Sequence, residues 1–471
     1  MNGLPQGWAT ISLAEAVEPD APIIYGILQP GPDQKEGVPY VRPTEIVNDA
    51  IQLTELRRTT PEIAKRYSRS SLDAGDVLLS IVGTIGKVAT VPEDLAGGNI
   101  TQSSCRVRAR RALTSTAFMA HFLRSPSARR QFDEARLGTA VPRLNLEDVR
   151  AMELPVSPLP EQRRIVAKID SLTGKSKRAR DHLDHIPRLV EKYKQAILAA
   201  AFRGDLTRGM EHNGIAAQGG DRIDARASQL DELPIGWAWA SIGGVGQVTG
   251  GLTKNAARKS LPKQVPYLRV ANVYANQLRL ADIAHVGCTE AEYQRTLLRA
   301  GDLLVVEGNG SIDQIGRVAV WNDEVPGCSH QNHLIRVSLD RAVLPEFALY
   351  WLMSPGGRAA IEAVASSSSG LHTLSISKVK GLPIPICSEA EQTELVRRIK
   401  SAFAWVERLS SDASSSRKLI DRLDQSVLAK AFKGELVPQD PADEPASALL
   451  DRIRSERATA PKAKRGRKKA A

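Results

Sequence analysis

Ala201-Phe202-Arg203-Gly204-Asp205-Leu206 returns 230 positions later as Ala431-Phe432-Lys433-Gly434-Glu435-Leu436. Working outward, Glu161-Gln162 returns as Glu391-Gln392, Arg106-Val107 as Arg336-Val337, and Ile85-Gly86-Lys87-Val88-Ala89 as Ile315-Gly316-Arg317-Val318-Ala319, all at the same offset. Further out the offset drifts by a few residues: Ala74-Gly75-Asp76 pairs with Ala300-Gly301-Asp302, Val38-Pro39-Tyr40 with Val265-Pro266-Tyr267, and Leu4-Pro5-Gln6-Gly7-Trp8 with Leu233-Pro234-Ile235-Gly236-Trp237. A period this long lies far outside the roughly 20–50 residues of solenoid repeats. The chain is therefore one large unit written twice.

Each copy divides into a globular part, 1–158 and 230–388, and a helical part, 159–206 and 389–436. Asp76-Val77-Leu78-Leu79-Ser80-Ile81 and Asp302-Leu303-Leu304-Val305-Val306-Glu307 are short apolar runs bounded by turn residues, which predicts strands followed by Gly-marked loops. Helical stretches from Phe118 and Phe347 each run into a Ser-Pro pair, Ser125-Pro126 and Ser354-Pro355, where a helix should stop. The globular parts read as small α+β domains, with Trp8 and Trp237 as core anchors.

In the helical parts, Ile165, Ile169, Leu172, Ser176, Ala179, Leu183, Ile186, Val190, Tyr193, Ile197 and Ala200 keep 4-3 spacing. Leu395, Ile399, Ala402, Val406, Leu409, Ala413, Ser416, Ile420, Leu423 and Val427 do the same. That is the seam of a coiled coil. About 42 residues at ~1.5 Å each span roughly 60 Å, and an apolar seam of that length needs a partner. The duplicate is the nearest one, so the expectation is an antiparallel pair with a pseudo-two-fold axis. Gly174 and Pro187 weaken or break the first helix. The segment 207–229 reads as a linker, and 437–471, ending in a Lys/Arg run, as a disordered basic tail.

The 471 residues carry 64 Lys+Arg against 53 Asp+Glu, a net charge of +11. Six of those positive charges lie in the last eleven residues, with no acid among them, so +5 remains for the rest. The balance favours a polyanionic partner. Aromatics at 4% argue against stacking of single-stranded bases as the main mode. Cys105, Cys288, Cys328 and Cys387 are far apart and form no CxxC pair, which argues against zinc or a disulfide framework. With no apolar membrane-length run and no leader pattern, the expected location is cytoplasmic.

Two similar basic domains on a rigid spacer suit a bipartite duplex, since dimeric DNA binders hold two readers at a fixed separation. The order domain, helix, domain, helix resembles the specificity subunit of type I restriction–modification systems. The resemblance rests on the Leu-Pro-x-Gly-Trp openings, the Ala-Gly-Asp strand starts, Leu154-Pro155 and Leu382-Pro383, the Glu-Gln helix starts and the Ala-Phe-Arg/Lys-Gly-Asp/Glu-Leu ends. It covers about 1–206 and 230–457. It implies two target-recognition domains reading an asymmetric, interrupted DNA site, with the helices as a ruler for the gap. It also implies two modification subunits that methylate adenine with S-adenosylmethionine, and restriction subunits that use ATP and Mg2+, no cofactor being bound by this chain.

Candidate DNA contacts come from matched loops. Thr84 and Lys87, with Asn309, Ser311 and Arg317 opposite them, lie in Gly-marked turns where backbone can approach a groove; these read equally as hairpin loops with solvated cations. That first loop lacks the G-x-x-x-x-G-K-[ST] spacing of a P-loop. Gln102 matches Asn332, and both residue types can pair with adenine in the major groove; Gln331 and His333 are neighbours. A turn that bonds its own backbone is the competing reading. Arg42 and Arg269 follow matched tyrosines, with Asn272 close behind, and suit guanine or phosphate, or read equally as solvated surface arginines. Arg143 and His372 sit in corresponding polar loops. His182 and His185 read as a solvated helix face. The basic tail suits either phosphate contact or solubility.

No Walker A, H-E-x-x-H or G-x-S-x-G sequence is present, and nothing groups at active-site spacing. The expectation is a noncatalytic subunit. The alternative from a different class is a protein-interaction scaffold with two binding domains on a coiled-coil rod.

Overall fold

The structure is a computed structural model that describes residues 3–138, 140–210, 222–227, 230–368 and 370–459. The chain forms two compact units, Met1–Leu183 with Ser414–Ala471, and Asp184–Ala413. Four helices outside the globular domains are labelled: α1 (Leu159–Asp184), α2 (Ile186–Phe202), α3 (Glu389–Ala431) and α4 (Ala446–Thr459). Residues 414–431 of α3 belong to the first unit and 389–413 to the second.

In the first unit, an antiparallel sheet runs in the order Ile24–Tyr25, Ser104–Val107, Val77–Ser80, Val88–Thr90. Alternation along Val77–Ser80 sends Val77 and Leu79 into the main core and Leu78 into a second one. A second sheet joins Arg57–Thr59, Val38–Val41 and Asn99–Ile100. The second unit repeats both sheets. The first runs Gly246–Gly250, Leu334–Leu339, Leu303–Val306, Val318–Val320, and the other Ala284–Cys288, Lys263–Leu268, Ser329–His330. Leu303 and Val305 face its main core, Leu304 and Val306 the other. The Ser-Pro pairs end one helix and begin the next. Ser125 donates its N–H to Phe122 O at 2.8 Å and its side chain caps Ala128 N, while Ser354 caps Gly357 N.

The repeated Glu-Gln pair is structural. Gln162 donates to Leu113 O and Ser157 O at 2.8 and 2.9 Å, and Gln392 donates to Ala342 O and Cys387 O, both at 2.9 Å. Each glutamine thus ties a helix start to its domain. The repeated helix end does the same at the other terminus. Phe432 packs edge-on to Phe118 and Phe122 at 5.0 and 5.4 Å, and Phe202 to Phe347 and Trp351 at 5.4 and 5.2 Å. Gly434 and Gly204 then turn left-handed, φ 74° and 77°, against Pro5 and Pro234 of the two Leu-Pro openings. A Cβ at Gly204 would lie 2.8 Å from Pro234 Cγ, and one at Gly434 would strike Pro5 Cγ harder still.

Both units contain an antiparallel helix pair. In the first, Arg164 meets Asp443 and Arg180 meets Asp421 and Asp424. In the second, Lys194 meets Glu407 and Thr207 meets Glu391. Ile165, Ile169 and Ser176 of α1, and Leu395, Ile399, Val406, Ala413 and Val427 of α3, are buried as the seam requires. Other seam positions are not: Tyr193 is 61% exposed, Leu409 44% and Leu423 57%. Beside Leu423, the buried Asp424 carboxylate takes the Arg180 guanidinium. Beside Tyr193, Lys194 places its ammonium 5.4 Å from the Phe403 ring centroid. Within each unit, buried apolar seam positions thus alternate with exposed ones beside which charged side chains pair. Gly174 does not interrupt α1. The break falls at His185, because Pro187 has no N–H for the Leu183 carbonyl.

One sequence expectation needs correction, and of the expected linker the residues 211–221 and 228–229 lie outside the described residues. The segment 437–471, expected to be disordered, contains α4. Ala446, Leu450 and Ile453 lie at helical spacing and are buried in the first unit's core. Ala446 donates its N–H to Gly7 O at 2.8 Å and Arg454 pairs with Glu15. Residues 460–471, with the Lys/Arg run, lie outside the described residues. The linker 207–229 is docked at both described ends: Asp205–Thr207 forms a 3-10 turn, and Ala227 is buried in the second core with Asp224 N bonded to Gly381 O. Asp451-Arg452-Ile453 repeats Asp221-Arg222-Ile223 at the offset of 230, a signal composition had hidden. Leu450→Ala with Ile453→Ala should lower the unfolding free energy by about 2 kcal/mol per residue, read from the urea midpoint at constant slope. An unchanged midpoint would show that α4 is not part of the core.

Candidate nucleic-acid interface

In the first unit, the ends of separate strands are laced by backbone bonds. Thr101 N donates to Val41 O at 3.2 Å, Gln102 N to Ile27 O at 2.9 Å, Ile81 N to Ser103 O at 2.9 Å and Gly83 N to Pro142 O at 2.8 Å. Arg143 forms a bridge with Val82. Thr84, Gln102 and Arg143, far apart in sequence, therefore sit at one end of the domain. All three are exposed, and their side chains have no hydrogen-bond partner among the described residues.

Arg42 and Lys87 are placed differently. The Lys87 ammonium donates to Pro43 O at 2.7 Å and Ile46 O at 2.9 Å, so it holds a turn of its own domain rather than projecting into solvent. Arg42 pairs with the buried Glu45. Burial works against the Glu45 charge, but the Arg42 guanidinium and N–H outweigh it and hold the carboxyl below its ordinary range.

The second unit has the same lacing. Gln331 N donates to Leu268 O at 2.9 Å, Asn332 N to Leu252 O at 3.0 Å, Glu307 N to His333 O at 3.0 Å and Leu374 N to Glu307 O at 2.7 Å. A small sheet found in this unit pairs Asn309 with His372. Asn309, Ser311, Gln331, Asn332, His333 and His372 therefore gather on one side. The Gln331, Asn332 and His372 side chains have no hydrogen-bond partner among the described residues, while His333 Nδ1 lies 2.7 Å from Glu307 Oε2. Asn309 caps Ser311 N at 3.0 Å, and Ser311 donates to Asp313.

Asn272 does not belong to that set. It is buried, accepts from Arg269 N at 2.8 Å and donates to Arg279 O and Asp282 O at 2.8 and 2.9 Å, so it is spent on its own turn. Arg269 pairs with Asp282 at 2.7 Å. Arg317 and Arg279 stack on Tyr274, 4.9 and 3.8 Å from its centroid. His330 is buried with Nδ1 3.1 Å from Thr296 O, and burial pushes it down to about 3, so it is a neutral core residue.

Sequence reasoning missed Glu307, whose carboxylate orients His333. It also missed Gly26 and Gly251, where a Cβ would strike Ile100 O and His330 O, themselves 230 positions apart. These glycines let the loops close up; their own drifting offset concealed them.

Two α+β domains with matched frameworks, different loop chemistry and an antiparallel helix pair in each unit define a duplicated two-domain protein. Residues 29–183 match the family described as the type I restriction modification DNA specificity domain. The chain is 26% identical to the EcoKI specificity subunit of Escherichia coli K12, and 26% identical to the StySPI specificity subunit of Salmonella potsdam, each over 99% of both chains. Its fold resembles the HsdS subunit from Thermoanaerobacter tengcongensis, with a TM-score of 0.53 and 21% identity over 92% of this chain and 98% of that one. A chain from a type I R-M system described for its complex assembly and conformational transition gives a TM-score of 0.66 at 21% identity, covering 93% and 100%. Residues 29–183 therefore carry a type I restriction modification DNA specificity domain, and the chain is similar along its length to the specificity subunits of type I restriction enzymes.

Lys87→Met should lower stability by about 1–3 kcal/mol, because two carbonyls lose their donor. Arg143→Ala should leave thermal unfolding unchanged. The reverse ranking in a thermal unfolding experiment would contradict these placements.

Proposed function

We propose that this chain is the sequence-reading subunit of a type I restriction–modification assembly, binding an asymmetric bipartite duplex and directing partner subunits to it. The observation that carries the reading is the contrast between the two units: the same strand ends, laced by the same backbone bonds, present different free side chains. The first offers Thr84, Gln102 and Arg143, the second Gln331, Asn332 and His372, with His333 oriented beside them by Glu307. Base edges in the major groove are told apart by such amide, hydroxyl and guanidinium groups, so different sets read different half-sites. Residues already bonded within the domain, Lys87 and Asn272 above all, support the loops.

The helices set the gap between half-sites and carry the partners. Leu189, Tyr193, Trp405 and Leu409 in the second unit, and Leu419 and Leu423 in the first, are exposed apolar side chains on them. They suit docking of two modification subunits, which would supply adenine methylation from S-adenosylmethionine. Restriction subunits would supply ATP- and Mg2+-dependent cleavage. Chemistry then belongs to the partners and recognition to this chain. No helix among the described residues is long and apolar enough to cross a membrane.

The test is methylation sequencing of DNA exposed to the reconstituted modification complex. One bipartite adenine-containing motif should appear. Gln102→Ala should relax one base of one half-site, and Asn332→Ala one base of the other, each by about 1–3 kcal/mol of discrimination. Absence of any defined motif would overturn the reading.

A further inference from the structure

On one face of the second unit's four-stranded sheet lies a cleft of about 810 Å3, which contains Arg295, Arg299, Arg336 and Arg341. It sits at the Asp302 end of the strand Leu303–Val306, whereas the recognition loops begin at Glu307, the opposite end. Its acids are Asp302, Asp340 and Glu389. Asp302 is already engaged, accepting Arg299 N at 2.8 Å and Ser338 Oγ at 2.5 Å. The Arg336 side chain is only 11% exposed, yet its nearest carboxylate oxygen, on Asp302, is 4.0 Å away. Arg295 spends one N–H on Gly250 O. The Arg299 and Arg341 side chains have no partner among the described residues.

The duplication supplies an internal control. Arg106 matches Arg336 and donates to Ser71 O at 2.9 Å, as Arg336 donates to Leu297 O at 2.6 Å. Asp73 N donates to Asp76 at 2.8 Å, as Arg299 N does to Asp302. The backbone scaffold is the same, and its side chains differ, Arg110 standing where the second unit has Asp340. Where the second unit has Arg299 and Ser338, the first has Asp73 and Arg108. Arg108 fills the corresponding place and is neutralised there, bidentate on Asp76 at 2.6 and 2.8 Å and 2.6 Å from Asp73. Exchanging Asp73 for arginine and Arg108 for serine removes that closed ion cluster, leaves one acid fewer for the same number of arginines, and vacates the place that Arg108 fills.

We propose that this cleft is a binding site for a small phosphate-rich anion of nucleotide size, present in the second unit and closed in the first. Its volume falls within the roughly 300–1,000 Å3 of small-ligand sites. Guanidinium groups match phosphate oxygens with paired donors. Arg299 and Arg341 are the free cations, and Arg336 supplies a charge that its own domain leaves weakly balanced.

The experiment is titration calorimetry on the full chain with inorganic pyrophosphate and, separately, adenosine diphosphate. Saturable 1:1 binding is expected. Arg299→Asp with Ser338→Arg, which transplants the first unit's ion cluster, should weaken it at least tenfold without changing the melting temperature. Arg341→Ala should weaken it while leaving the cluster untouched. Pyrophosphate bound as tightly as the diphosphate supports a phosphate site alone, and tighter binding of the diphosphate supports a nucleoside subsite as well. No saturable binding of either, or equal binding by both variants, overturns the proposal. So does loss of duplex DNA affinity in the variants without small-anion binding, which would assign the cleft to a DNA backbone.

Discussion

The arrangement depends on how each helix end is clamped to the opening of a domain. A phenylalanine enters the aromatic core, and the glycine after the following cation turns the chain left-handed against a proline. In the second unit Phe202 and Gly204 precede the domain they clamp, Gly204 meeting Pro234 and Phe202 reaching Phe347 and Trp351. In the first, Phe432 and Gly434 come from the far end of the chain to meet Phe118 and Pro5. One motif thus closes both units. A side chain at either glycine would push the proline away and loosen helix and domain together.

This explains why the most repeated residues are not those that would touch DNA. The Phe-x-Gly ends, the Glu-Gln pairs and the strand starts are fixed by geometry that both copies share. The loops that separate the two readers are free of that constraint. Their backbone is laced in equivalent ways, Thr101 to Val41 and Gln331 to Leu268, while their side chains diverge. A framework held constant beneath variable loops would let one chain carry the two specificities proposed for it.

The duplication, the strand starts and the helix pair were legible because periodicity and matched landmarks report backbone architecture directly. The break near Pro187 was legible too, since a missing N–H has one structural consequence. Which loop residues are free was not. Lys87 and Arg143 look equivalent as loop cations, and only the fold reveals that Pro43 and Ile46 take the first. Asn272 looks like a base reader and is a buried turn cap. The interior of the helix seam was hidden for a related reason. Leu423 fits the heptad, but the Arg180–Asp424 pair occupies the buried position. Helix α4 was masked by a composition that suggested disorder, although Ala446, Leu450 and Ile453 fall on one face.

The central claim is that the helices set the separation of two independent readers. Seven residues of helix inserted after Leu183 and after Ala413 lengthen both helices at the joints between units and leave the contacts within each unit in place. Methylation sequencing with the lengthened chain measures the outcome directly. The account predicts both half-site sequences unchanged and a different gap between them. An unchanged gap, or altered half-sites, would contradict it.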